Sequence, residues 1–158
     1  MFTIENYFWT GVKHQLLLDK TNNVYYDIKF SKIKSGRHLL TLCSASCIML
    51  ISLKPSIGVL GAIKRPEGVS SDKIPNCEIG EFYFQDRKDM LDFVCVSWGK
   101  IIYIYKLVPS NHSMEEIVLL FKLEHPTTVE NIEIISNGVL VTLDDRQVFR
   151  VINLSESK

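Results

Sequence analysis

The stretch "DFVCVSWGKIIYIYKL", Asp92 to Leu107, decides the fold. It is strongly apolar and is broken once, at Trp98-Gly99-Lys100. In an extended chain successive side chains point to opposite faces. Phe93 and Cys95 therefore face one way while Val94, Val96 and Trp98 face the other, and Ile101, Tyr103 and Tyr105 oppose Ile102 and Ile104. Both faces are apolar. A sheet with one wet face would alternate apolar and polar residues, so these two strands require cover on both sides. Gly99 supplies the positive φ that a tight reversal between them needs. On this reading Trp98 packs between layers and is no ligand platform.

The same unit recurs on either side. "LLTLCSASCIMLISL" from Leu39 and "VLVTLDDRQVFRVINL" from Val139 each repeat the plan of an apolar strand, a short polar or small-residue turn and a second apolar strand. Leu39 to Phe93 is 54 residues and Phe93 to Val139 is 46. Each unit is preceded by one further strand ("YYDIKF", "EIGEFYF", "NIEII"), and the first two are followed by another ("SIGVLGAI", "EEIVLLFKL"). Alternation and turn residues predict strands at Gln15–Asp19, Tyr25–Phe30, Leu39–Ala45, Ile48–Leu53, Ile57–Ile63, Ile79–Phe84, Phe93–Trp98, Ile101–Leu107, Ile117–Leu123, Ile132–Ile135, Val139–Leu143 and Gln147–Asn153. Two polar loops interrupt them, Lys64–Asn76 and Pro109–Glu116. Four antiparallel strands per unit, repeating about every 40–50 residues, mark a β-propeller. The expected fold is all-β: one domain over 1–158, a partial WD-repeat-like propeller with blade-like units around 25–63, 79–123 and 131–154. Closed propellers have about four to eight blades. Three units therefore predict a piece of a larger ring, with apolar faces and strand edges open to self-association into a dimer or larger species.

Bulk composition narrows the function. The 158 residues are 46% hydrophobic and 23% charged, and 18 Lys and Arg balance 18 Asp and Glu. A nucleic-acid partner calls for a net basic footprint, which is missing. The apolar run "CIMLISL", Cys47 to Leu53, falls far short of the roughly 20 residues of a membrane span. "MFTIENYFWT" carries no signal-peptide pattern. Cys43, Cys47, Cys77 and Cys95 lie mostly in apolar strands and suit a reducing, cytoplasmic compartment.

Chemistry-bearing residues are scattered. Cys43 and Cys47 have the spacing of half a zinc site, but no second ligand pair follows, so no metal and no cofactor is expected. His14, His38, His112 and His125 stand in unrelated contexts, with His125 shaping a turn before Pro126. Asp144-Asp145 falls in the tight turn of the third unit, and Glu115-Glu116 opens a strand. With no nucleophile–base constellation, no catalytic residue is named and the chain is read as a non-enzyme. Lys29, Lys32, Lys34 and Arg37, with Lys54, Lys64 and Arg65, offer a basic patch for an acidic partner or an anionic membrane. The zero net charge favours the simpler reading of lysines that guard sheet edges.

Ordinary WD repeats close the third strand with Trp-Asp and open the blade with Gly-His, and neither pair is present. Instead "LCSASCIMLISLKPSIGVLGAIKRP", "LDFVCVSWGKIIYIYKL" and "NGVLVTLDDRQVFRVINL" resemble the N-terminal propeller of the eighth vacuolar-protein-sorting subunit of the CORVET endosomal tethering complex. "LKPS" at Leu53–Ser56 and "SWGKIIYIYKL" at Ser97–Leu107 carry most of that likeness. The resemblance implies a non-catalytic interaction scaffold in vesicle fusion and endosome/vacuole sorting. It implies a cytoplasmic protein, peripheral on endosomal membranes, whose partners are other tethering subunits and an early-endosomal Rab GTPase. No partner-binding residue transfers individually. The competing readings are a propeller piece of another trafficking or coat scaffold, and a self-contained β-domain enzyme or ligand binder.

Overall fold

The computed structural model describes residues 24–32, 36–83, 90–108, 116–136 and 138–154. The expected strand at Gln15–Asp19, together with Lys34, His14, His112 and Glu115, lies outside them. Eleven strands follow in order: β1 (Tyr25–Lys32), β2 (His38–Ser44), β3 (Cys47–Lys54), β4 (Gly58–Lys64), β5 (Asn76–Tyr83), β6 (Met90–Trp98), β7 (Ile101–Val108), β8 (Glu116–Glu124), β9 (Val129–Ser136), β10 (Val139–Asp144) and β11 (Phe149–Asn153). They form three antiparallel sheets with strands in chain order: β1-β2-β3-β4, β5-β6-β7-β8 and β9-β10-β11. We call these blades 1, 2 and 3. The first strands of successive blades pack together, β1 on β5 and β5 on β9. This is the arrangement of a partial propeller.

Side-chain burial explains the layering. Every residue of β2 is buried, as are Phe93 to Trp98 of β6. Leu39, Cys43, Ile48 and Leu50 of blade 1 meet Val94, Val96, Trp98 and Tyr103 of blade 2 in one continuous core. The opposite face of blade 2 gives Phe93, Cys95, Ile102 and Ile104 to a second core, with Val129, Ile132, Leu140 and Leu154 of blade 3. The two faces read from "FVCVSW" and "IIYIY" are thus the two seams of the middle blade. Each fully buried aliphatic side chain there contributes about 1.5–3 kcal/mol over an exposed one. By contrast, β10 alternates between half-buried and buried, because only one of its faces has a blade against it.

Several expected boundaries move: β6 and β9 each start three residues early, at Met90 and Val129, and two further shifts have a local cause. The last strand starts at Phe149 and not at Gln147, because Gln147 takes a left-handed φ of 62° and belongs to the turn. β5 starts at Asn76, three residues before Ile79, since Cys77 is buried in the seam and draws the strand back. The β6–β7 reversal is as expected. Trp98 pairs with Ile101, and Gly99, with φ at 67°, takes the first position of the two-residue turn.

Candidate functional site: the turn end of the blades

At the β2–β3, β6–β7 and β10–β11 turns, one repeat position carries three different side chains. Counting five residues on from Leu39, Phe93 and Val139 gives Ser44, Trp98 and Asp144. All three are buried, and each anchors backbone around its turn. Ser44 Oγ donates to the Cys47 carbonyl at 2.9 Å and accepts from the Cys47 amide at 3.1 Å. Trp98 Nε1 donates to the Lys73 carbonyl at 3.1 Å and so ties down the loop that leads into blade 2. Asp144 Oδ1 accepts the amides of Arg146 at 2.9 Å and Val148 at 3.0 Å. Its Oδ2 accepts the Thr127 hydroxyl at 3.0 Å, in the loop that leads into blade 3.

These inter-blade loops also rest on the preceding blade's turn. The Arg65 amide donates to the Ser46 carbonyl at 2.8 Å, and the His125 amide to that of Lys100 at 2.7 Å. Val129 adds a bond to the Gly99 carbonyl at 2.9 Å. Backbone groups that would otherwise be orphaned at the blade junctions are thereby paired.

His125, Thr127, Thr142 and Asp144 form the densest polar cluster of the described residues. His125 Nε2 lies 3.4 Å from Thr142 Oγ1, and its Nδ1 lies 3.1 Å from the Thr127 carbonyl. The residue types are those of a hydroxyl–imidazole–carboxylate triad, but the geometry differs. A triad carboxylate must accept from the imidazole nitrogen remote from the nucleophile. Here that nitrogen faces Thr127, and both oxygens of Asp144 are engaged by the turn and by Thr127. Thr142 and Asp144 are fully buried, so the hydroxyl is closed to a substrate. The hydrogen bond from the Val148 amide leads in holding the Asp144 carboxyl below its ordinary value. Burial pushes the other way, and the Thr127 hydroxyl and Arg146 amide add to the lowering. The cluster is a knot that locks loop, turn and strand together.

The other singled-out residues are dispersed. Lys29 is ion-paired with Glu78 at 2.7 Å and Arg37 with Asp92 at 2.9 Å, both joining blade 1 to blade 2. Arg65 gives its guanidinium to the Ala45 carbonyl at 3.3 Å. Lys54 is in register with His38 and Lys64 with Cys47, which puts them at opposite ends of blade 1. Among the described residues Lys54 and Lys64 are therefore not on one patch, and Lys29, Arg37 and Arg65 are engaged. Cys43 and Cys77, separate in sequence, meet across the seam, where the contact with Cys43 and then burial raise the Cys77 thiol well above its ordinary value. Cys47 is half-buried in the turn. Among the described residues no three His, Cys, Asp or Glu side chains gather as metal ligands. His38 and His125 are buried, not solvated as loop histidines usually are, because Phe30 packs edge-on against the first and the Thr127–Thr142 pair encloses the second. The tethers of Trp98 and Asp144 escape a reading by motif, since their partners Lys73 and Thr127 lie in irregular loops. Their shared repeat position was the one available signal.

No family model and no curated protein matches the chain. Among solved structures, it is similar to a chain of the Chaetomium thermophilum Polycomb Repressive Complex 2 bound to GSK126. The TM-score is 0.61 at 12% identity, over 90% of this chain and 31% of that one. This chain therefore spans about a third of the length of its structural neighbour, and at that identity the likeness concerns the fold alone, which is propeller-like.

Proposed function

We propose that the protein is a non-catalytic interaction scaffold, the propeller portion of a cytoplasmic subunit of an endosomal membrane-tethering complex. One observation carries the scaffold part of this reading. The side chains that look most like chemistry are consumed in joining blades: His125 and Asp144 at one seam, Lys29 and Arg37 at the other. A body braced in this way offers a rigid outer surface, which is what a multi-partner assembly needs. The propeller-like fold it shares with its structural neighbour fits the same role. The tethering part rests on the sequence resemblance carried by Leu53–Ser56 and Ser97–Leu107.

The test is a pull-down with the immobilised protein and an early-endosomal Rab GTPase, loaded with either GDP or a non-hydrolysable GTP analogue. Retention of the GTP form alone is expected, together with recovery of other tethering subunits from an endosomal extract. Binding to neither form, with coat or other trafficking subunits recovered instead, would move the protein to a different scaffold and leave the fold argument intact.

A further inference from the structure

We propose that Cys43 and Cys77 are a redox-sensitive link between blades 1 and 2. The pair is two thiols in the closed seam and becomes a disulfide when the seam parts in the presence of a small-molecule disulfide. Strand alternation selects this pair from the four free cysteines. Cys43 pairs with Ile48, and both enter the core that blade 1 shares with blade 2. Cys77 pairs with Val96, and these two enter the same core from the other side. Strands β2 and β5 pack together there, and neither thiol has any exposure. The other two cysteines point elsewhere. Cys95 alternates with Val94 and Val96 and belongs to the core between blades 2 and 3. Cys47 precedes Ile48, so it faces away from blade 2, with its sulfur 3.7 Å from Ser44 Oγ in the turn.

The fold does not require thiols at these places. In the second seam the position of Cys43 is taken by Ser97, and that of Cys77, opposite Val96, by Ile132, opposite Thr142. Both are buried, so a hydroxyl and an aliphatic chain close that seam as well. While the first seam is closed, contact with Cys43 and then burial hold the Cys77 thiol well above its ordinary value, which keeps it unreactive. Local opening exposes both sulfurs together. One, as its thiolate, attacks a sulfur of oxidised glutathione, breaks that S–S bond and releases one glutathione. The thiolate of the other then attacks the protein sulfur of the mixed disulfide, forms the Cys43–Cys77 bond and releases the second glutathione. The two cysteines lose two protons and two electrons, and the reagent takes them up as two thiols. The bond joins residues 34 apart and restricts the unfolded chain, so the oxidised protein is the more stable form. A reducing compartment reverses the link, which makes it a transient, sensing disulfide.

The experiment treats the folded 158-residue chain with excess oxidised glutathione, blocks the remaining thiols with iodoacetamide and maps the unreduced peptides by mass spectrometry. The expected map joins Cys43 to Cys77, with the mass of two hydrogen atoms lost between the two peptides, and dithiothreitol reverses the bond. The urea denaturation midpoint of the oxidised chain is expected above that of the reduced chain. Cys77→Ala, with circular dichroism to confirm folding, is expected to lose the linked product. The map of the unmodified chain identifies the pair whether or not that variant folds. If Cys43 and Cys77 stay free in native buffer and react only in urea, the proposal is overturned, as it is by a link from either to Cys47 or Cys95. A midpoint that falls on oxidation overturns it too, because the bond then does not fit the closed seam.

Discussion

The two seams of the middle blade are held by different means. Between blades 1 and 2 an indole and two ion pairs do the joining: Trp98 on the Lys73 carbonyl, Lys29 on Glu78, Arg37 on Asp92. Between blades 2 and 3 the equivalent position holds a carboxylate, and the joint is a polar knot of Asp144, Thr127, His125 and Thr142. The backbone task is the same in both: a loop entering the blade must be tied to the turn beside it. An indole does this while also filling a large volume. A carboxylate fills little, but it gathers two turn amides and a hydroxyl at once. The first seam should therefore respond most to loss of volume, and the second to loss of charge.

Truncating the indole is the strongest test. Trp98 is 1% exposed, so Trp98→Ala should cost about 3–5 kcal/mol. Trp98→Phe keeps most of the volume and removes the bond to Lys73, and should cost about 1 kcal/mol. Urea denaturation midpoints of the two variants measure the difference. Equal losses would mean that the hydrogen bond, and not the volume, holds the first seam.

A volume test can also be applied to the second seam, where Gly80 leaves no room for a side chain. A Cβ built on Gly80 would lie 2.8 Å from Ile134 Cδ1 and 3.1 Å from the Phe93 ring. Gly80→Ala is then an overpacking change of about 1–3 kcal/mol. Adding Ile134→Val removes the offending methyl group, so the double variant should lose less than Gly80→Ala does alone. If the second substitution simply adds its own cost, Ile134 is not the obstacle.

Acid and base separate the seams without mutation. Because the carboxyl of Asp144 titrates lower in the folded chain than its ordinary 3.8, its contribution is present above 3.8 and is lost as pH falls through the lower folded value. In the first seam, burial raises Tyr103, while burial and then the charge of Tyr103 raise Tyr105, from an ordinary 10.0. For Lys29 burial works downward, but the hydrogen bond and charge of Glu78 outweigh it, so the amine ends above its ordinary 10.5. Groups shifted upward contribute below their ordinary values, and that contribution is lost as pH rises through the folded ones. The buried thiols Cys77 and Cys95, one in each seam, both move upward and do not discriminate. The Val148 amide resonance should therefore change first in acid and the Trp98 indole N–H first in base. Asp144→Asn should abolish the acid transition at Val148. Simultaneous loss of both signals at either extreme would mean that the seams open as one.

Much of this fold was legible because burial on both faces writes a period-two pattern with no polar phase. Phe93 to Leu107 displays it, and the repeats at Leu39 and Val139 supply the blade count. The joints were hidden for a physical reason. Trp98 finds Lys73 25 residues away and Asp144 finds Thr127 17 away, through loops with no periodicity to announce where they pass. His125 was legible only in part. Its position before Pro126 does indicate a turn, but nothing local reveals that Thr142 closes over the ring. Lys29 and Arg37 suggested a surface patch only because Glu78 and Asp92, their partners, lie on the next blade.

The smallest expected effects concern the turns that carry the two joints, and they have opposite signs. Gly99 and Gln147 both adopt left-handed backbone, φ 67° and 62°. Glycine pays no steric penalty there, whereas a residue with a Cβ is strained by about 1–2 kcal/mol. A Cβ on Gly99 would meet nothing within 4 Å, so Gly99→Ala should cost about 1 kcal/mol through backbone strain alone. Gln147→Gly relieves the same strain, but it frees the unfolded chain and gives up the bond from Gln147 Nε2 to Glu130 at 3.3 Å. That bond is exposed and worth little. The net gain should be about 0.5 kcal/mol, read as a rise in the denaturation midpoint with unchanged slope. A loss at Gln147→Gly would show that the β10–β11 turn is held by this side chain as well as by Asp144. The carboxylate joint would then depend on a residue that the indole joint does without.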